Sequence, residues 1–205
     1  MKLYYAPAAC SLAPHIVARE AGLDLALEKV DLVAKKTASG RDYLSINPKG
    51  AVPALELDTG DVLTENAIVL QYLADKAPQS ELMVAHGMAQ WHCLELVNFV
   101  ATELHKGFGP LWHHPSAEVR EATIENLSKR FDILDRQLGD QFTGETFTIA
   151  DAYAYAILNW TKIHKIDMHR WPRLMAFLDR VATRPAVLRA LAEGGLTQVR
   201  PAQSA

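Results

Sequence analysis

Strand signals stop at Pro78 and do not return, which confines the chain to a fold whose sheet is built early and whose helices come late. Residues 2 to 6 and 26 to 30 read as short strands. Ser11 to Ala21 between them reads as a helix with Pro14 in its first turn, where a missing N–H has no intrahelical partner to lose. That is a β-α-β unit. A second short helix is expected around Arg41 to Ile46, then a strand from Ala54 to Leu57 that turns through Asp58-Thr59-Gly60-Asp61 into Val62-Leu63 as an antiparallel hairpin. Thr64-Glu65-Asn66 opens a helix with apolar Ile68, Val69, Tyr72 and Leu73, so the first part reads βαβαββα.

Beyond a linker near residues 77 to 86, Gly87 to Lys106 forms one long helical pattern, ended by Gly107, Gly109 and Pro110. Ser116 to Leu138 is another, with Ile124, Leu127, Phe131, Leu134 and Leu138 spaced by three and four as a packed stripe. Thr148-Ile149-Ala150-Asp151 fits a capping box, and helices follow to about Leu191. The expected class is α/β followed by all-α, with domains at 1–78 and 87–205.

A chain of 205 residues at 49% hydrophobic content has ample material for such a core. Its 21 basic and 24 acidic residues are mixed along the sequence, so no nucleic-acid stripe or membrane-binding basic face is expected. The start, Met1-Lys2-Leu3-Tyr4-Tyr5, lacks the pattern of a secretory signal, and no apolar run reaches the ~18 residues of a membrane span. These features point to the cytoplasm. Cys10 and Cys93, the only cysteines, fall in different parts and are expected to be reduced thiols.

Cys10 stands at a helix start, where free amides and partial positive charge lower a thiol's pKa, yet free cysteine is also a common small core residue. Three residues on stands Ala13, so a redox cycle at Cys10 requires an outside thiol. Val52-Pro53 either merely starts a strand or, with a cis bond, leaves the Val52 backbone free to pair with a peptide. Glu65-Asn66 at a helix start suits ordinary capping or an amino-acid headgroup. His105-Lys106 at the end of the long helix reads first as helix-dipole partners, and Trp91, Trp112, Trp160 and Trp171 as core or cleft wall. No metal-ligand spacing and no phosphate-binding glycine loop occurs, so no metal is expected.

The stretches KLYYAPAACSLAPHI, DLVAKKTASGRDYLSINPKGAVPALEL, LTENAIVLQYLAD, NFVATELHKGF and FTIADAY, in that order, resemble a bacterial beta-class glutathione transferase along essentially the whole chain. The resemblance implies an N-terminal thioredoxin-like domain, a C-terminal helical bundle, and glutathione as co-substrate. It places Cys10 at the glutathione sulfur, pairs Val52 before cis-Pro53 with the cysteinyl unit, and puts Glu65 and Asn66 on the γ-glutamyl end. By the same resemblance Lys35 reaches the glycine carboxylate, while Asn98, Thr102, His105 and Lys106 close over the ligand, with His105 near the sulfur. Asn66 departs from the small residue usual in the family. Because other classes activate glutathione with Tyr or Ser, Tyr5 and Ser11 stand as rival catalytic residues.

The resemblance further implies conjugation of glutathione to hydrophobic electrophiles, with thiol–disulfide transfer dependent on Cys10, in a homodimer. Around Phe108, Trp112 and Trp160 an apolar cleft is expected for the electrophile. Dehalogenation of chlorinated aromatics and a non-catalytic glutathione-binding or interaction module are the alternatives. The joint presence of Cys10, Lys35, Glu65 and His105 argues against a module, which has no need of all four.

Overall fold

The computed structural model describes residues 1–83, 86–139, 142 and 144–196. Parts of the expected linker (84 and 85) and the end of the second domain (197–205) therefore lie outside the described residues.

Five strands, β1 (Lys2–Tyr5), β2 (Ala26–Asp31), β3 (Lys36–Thr37), β4 (Ala54–Glu56) and β5 (Val62–Thr64), form one mixed sheet in the order β3-β2-β1-β4-β5. β1 and β2 run parallel because the helix α1 (Leu12–Glu20) crosses over between them; β4 and β5 are joined by the tight turn and pair antiparallel. Side-chain alternation sorts β1 and β4 cleanly: Leu3 and Leu55 enter the main core, while Tyr4 and Ala54 join a small cluster with Val30, Tyr43 and Val52 on the opposite face. The segment expected as a helix around Arg41–Ile46 is a single 3-10 turn, Tyr43–Ser45. The Asp42 carboxylate accepts from the Leu44 amide, and Pro48 follows too closely for a longer helix.

From Leu12 to Ala18 every side chain of α1 is buried, because this helix packs against α2 (Asn66–Asp75), α5 (Ile149–Leu158) and α8 (Pro185–Glu193) as well as covering the sheet. The core is therefore continuous from Leu3 and Ile16 to Val97, Phe131 and Ile157. In α2 the buried residues are Asn66, Val69, Leu70, Leu73 and Ala74, while the apolar Ile68 is half exposed.

The pattern from Gly87 to Lys106 is helical throughout but changes gauge. α3 (Met88–Phe99) is regular, Val100–His105 widens into π turns, and Lys106–His113 tightens into 3-10 geometry. Such a change often marks a functional site, because the wide turn re-aims the side chains that follow. A Cβ on Gly107 would come within 2.9 Å of the Leu127 side-chain end on α4 (Ala117–Gln137), so that side chain would have to shift. The stripe on α4 buries Leu127, Phe131 and Leu134, with Leu138 just past its end. The capping box of α5 is complete: the buried Asp151 carboxylate accepts from the Thr148 amide and hydroxyl and from the Phe142 amide. Short α6 (Trp160–Ile163) and α7 (Pro172–Ala182) complete the helical half. Among the described residues no helix is long and apolar enough to cross a membrane.

Candidate active site

A cavity of about 400 Å3 opens where the two halves meet. The β1–α1 junction supplies Cys10, the approach to β4 supplies Val52 and Pro53, and the β5–α2 corner supplies Thr64, Glu65 and Asn66. The π turns add Thr102 and His105, Lys106 follows, and α5 adds Tyr153. Residues 101, 102, 105 and 106 all reach one side, because positions three and four apart share a helical face.

The Val52–Pro53 bond is cis, and the Cys10 thiol donates to the Val52 carbonyl at 3.2 Å. The helix start does not ionise this thiol. Burial pushes Cys10 up to about 12 and outweighs the amides of Cys10 and Ser11, which pull in the other direction. The sequence expectation of a low-pKa thiol is thereby corrected: Cys10 is buried, and burial removes the water that a helix-terminal thiolate would require.

His105 holds the Tyr153 hydroxyl at Nδ1, 2.8 Å away. Burial lowers its pKa to about 4; Glu65 opposes this and Lys106 adds to it, so the imidazole is neutral near pH 7. Asn66 donates through its amide nitrogen to the Cys10 carbonyl at 3.3 Å, and its buried oxygen finds no partner among the described residues. Glu65 has a positive φ of 69°, unusual for a residue with a side chain, and its carboxylate pairs with Lys49 at 2.5 Å. The Lys49 ammonium also reaches the Thr64 hydroxyl at 3.0 Å.

Several expected residues lie elsewhere. The Ser11 hydroxyl is buried against Ala6, bonded to that residue's amide and carbonyl, and Tyr5 packs beside His15; neither lines the cavity. Lys35 is turned onto the Gly50 carbonyl at 2.8 Å, outside the cavity wall but one residue from Ala51, which belongs to it. Asn98 is exposed on α3, and its carbonyl accepts from Thr102. Phe108 is no cleft wall. It is fully buried, edge-on to Trp160 and tilted against Phe131. Trp160 is buried too, donating from its indole nitrogen to the Ala8 carbonyl at 2.8 Å, so of these three only Trp112 is substantially exposed. Sequence reasoning missed Asn47, Lys49, Thr64 and Tyr153. Tyr153 had a usable signal, because it follows the capping-box Asp151 by two residues on a helix fixed at its start.

A strand–helix junction bearing a cysteine opposite a cis-proline, on a thioredoxin-like sheet closed by an all-helical half, is the architecture of a glutathione transferase. Residues 9–76 match the family model for the glutathione S-transferase N-terminal domain, and residues 99–185 match that for the C-terminal domain. The chain belongs to the glutathione S-transferase family. It is 42% identical to glutathione S-transferase GstA of Escherichia coli O157:H7, over 96% of this chain and 100% of that one. Among solved structures, a sphingomonad glutathione S-transferase complexed with glutathione superposes with a TM-score of 0.92 at 43% identity, covering 96% of this chain and 100% of the other. The bacterial beta-class enzyme of Sphingomonas chungbukensis superposes with the same score at 39% identity and the same coverage. These likenesses support the beta-class assignment that the sequence suggested.

Proposed function

We propose that the cavity binds glutathione and transfers it to hydrophobic electrophiles, with a second, Cys10-dependent activity in thiol–disulfide transfer. The observation that carries this reading is the convergence of Cys10, the Val52 carbonyl, Glu65 and His105 on one cavity, in a chain that resembles a transferase solved with glutathione. The γ-glutamyl ammonium displaces Lys49 from Glu65, and the peptide unit takes over the Val52 carbonyl from the Cys10 thiol. Thr102 and Lys106 close the helical side. Lys35 meets the glycine carboxylate only by giving up Gly50.

In conjugation the glutathione sulfur forms a bond to the electrophilic carbon, the leaving group departs with its bonding pair, and the thiol proton passes to water. Dehalogenation of an aromatic chloride begins with the same step. In thiol transfer the Cys10 thiol gives its proton to water, its sulfur attacks the glutathione sulfur of a mixed disulfide, and the other thiolate leaves and takes up a proton; the thiolate of a second glutathione then attacks the bound glutathione sulfur and frees Cys10 as the oxidised dimer forms. Conjugation needs no protein thiolate, whereas thiol transfer runs through the ionised fraction of Cys10, which burial diminishes.

The test is a turnover screen with glutathione against aryl halides, epoxides and mixed disulfides. Cys10→Ala should abolish only thiol transfer. No turnover with any of the three, despite glutathione binding, would favour the binding-module alternative. Glu65→Ala should weaken glutathione at least about tenfold in calorimetry, which is about 1.4 kcal/mol; unchanged affinity would remove Glu65 from the site. We also infer a homodimer, for which the exposed Ile68, Met88 and Trp91 offer apolar surface. Light scattering at micromolar concentration should return twice the mass of one chain, and a monomer would refute the assembly.

A further inference from the structure

His105 is held from two directions. The Tyr153 hydroxyl contacts its Nδ1 at 2.8 Å, with the Tyr153 ring edge-on at 5.9 Å, and the Trp160 indole meets the imidazole edge-on at 5.0 Å. A phenol has one proton to give, and its acceptor can be identified here. The only hydrogen bond to that hydroxyl among the described residues is the one with His105, and the nearby Asn66 oxygen, which could accept it, is buried without a partner among them. The phenol proton is therefore not spent on Asn66, and Nδ1 of His105 receives it.

We propose that Tyr153 is a positioning residue that fixes His105 as the tautomer protonated on Nε2, so that the imidazole acts as a neutral hydrogen-bond donor to the glutathione sulfur and not as the base that removes its proton. The inference rests on the glutathione reading of the cavity. It follows from the paired geometry: a neutral imidazole that accepts at one nitrogen can only donate at the other. Burial keeps both partners uncharged, raising the phenol and lowering the imidazole. The charged and titratable groups around them are Cys10, Glu65 and Lys106. A preorganised donor in such a site favours the thiolate over the thiol without itself changing charge, and the proton leaves to water.

Nitrogen NMR of the full ligand-free chain, labelled at histidine, tests the tautomer directly and needs no variant. His105 should show an unprotonated Nδ1 and a protonated Nε2 near neutral pH; the opposite pattern overturns the proposal. Tyr153→Phe should mix the two tautomers and lower kcat for conjugation about tenfold or more while KM for glutathione moves less than about twofold. A rise in KM at constant kcat would make Tyr153 a ligand contact instead and overturn the positioning role. His105→Gln separates donor from base: its amide can still donate, so it should retain at least about tenfold more activity than His105→Ala, whereas equal losses would mark a base. A wild-type chain that binds no glutathione would defeat the glutathione reading and the donor role with it, while the NMR result would still report the tautomer.

Discussion

At Cys10 two effects of known sign oppose each other. The first-turn amides stabilise a thiolate and burial disfavours it, and burial wins, leaving the thiol hydrogen-bonded to the Val52 carbonyl. A thiol that is nearly all protonated at neutral pH reacts through its small ionised fraction, and that fraction grows with pH until the pKa is reached. Alkylation of Cys10 by iodoacetamide in the ligand-free protein should therefore accelerate about tenfold per pH unit from about pH 7 to about pH 10, read by intact mass and lost in Cys10→Ala. A rate already level below about pH 8 would mean that the helix terminus prevails after all. Cys93 does not complicate the measurement, since it is fully buried in α3 and burial raises its thiol as well.

Elements decide how much of the site can be read in advance. The capping box is local, and it is legible because Thr148 and Asp151 stand three apart at a helix start; the structure adds that the carboxylate also holds the Phe142 amide at 2.9 Å. Asp151→Ala removes the carboxylate that accepts three hydrogen bonds, two of them buried, each worth about 1 kcal/mol, so a loss of about 3 kcal/mol is expected. The melting temperature should fall by about 6–12 °C, and a fall under about 2 °C would show that the box is dispensable. The β1–α1 junction with Cys10 and the β5–α2 corner with Glu65 are local in the same way, and both stand where the sequence patterns put them. The pairing of His105 with Tyr153, 48 residues apart, is not local. No periodicity announces it, because it depends on how the Val100–His105 turns pack against α5. Phe108 and Trp160 were misjudged for a related reason: an aromatic residue beside a cleft and one beneath it look alike until the packing of α4 and α6 is known.

Across the whole molecule, the last long helix is tied to the first. Glu193 of α8 accepts from the Arg19 guanidinium at 2.6 Å and meets the buried His15 at 2.8 Å, while Arg184 grips Glu20 with two bonds of 2.5 and 3.0 Å. These ties make the fold sensitive to acid in a direction that can be worked out. Burial lowers His15 and brings His105 to about 4, against an ordinary value of 6.5. The unfolded chain therefore takes up protons at these positions first, so their stabilising contribution is complete above pH 6.5 and declines as pH falls toward 4. Glu28 and Glu193, held near 2 by hydrogen bonds and neighbouring cations that outweigh burial, extend the decline below 4.5. Asp151 acts oppositely, because burial raises it and its protonation favours the folded state, but only as pH nears the carboxylate range. Between about pH 7.5 and about pH 5 the histidines dominate, and His105 alone accounts for about 2 kcal/mol. Urea unfolding at these two pH values should show the free energy falling by at least that amount, and the fall should shrink in His105→Gln, which has no proton to gain. A stability that held level or rose on acidification would mean that His105 and His15 are already protonated in the folded protein, and the neutral imidazole on which the donor role of His105 depends would be lost with it.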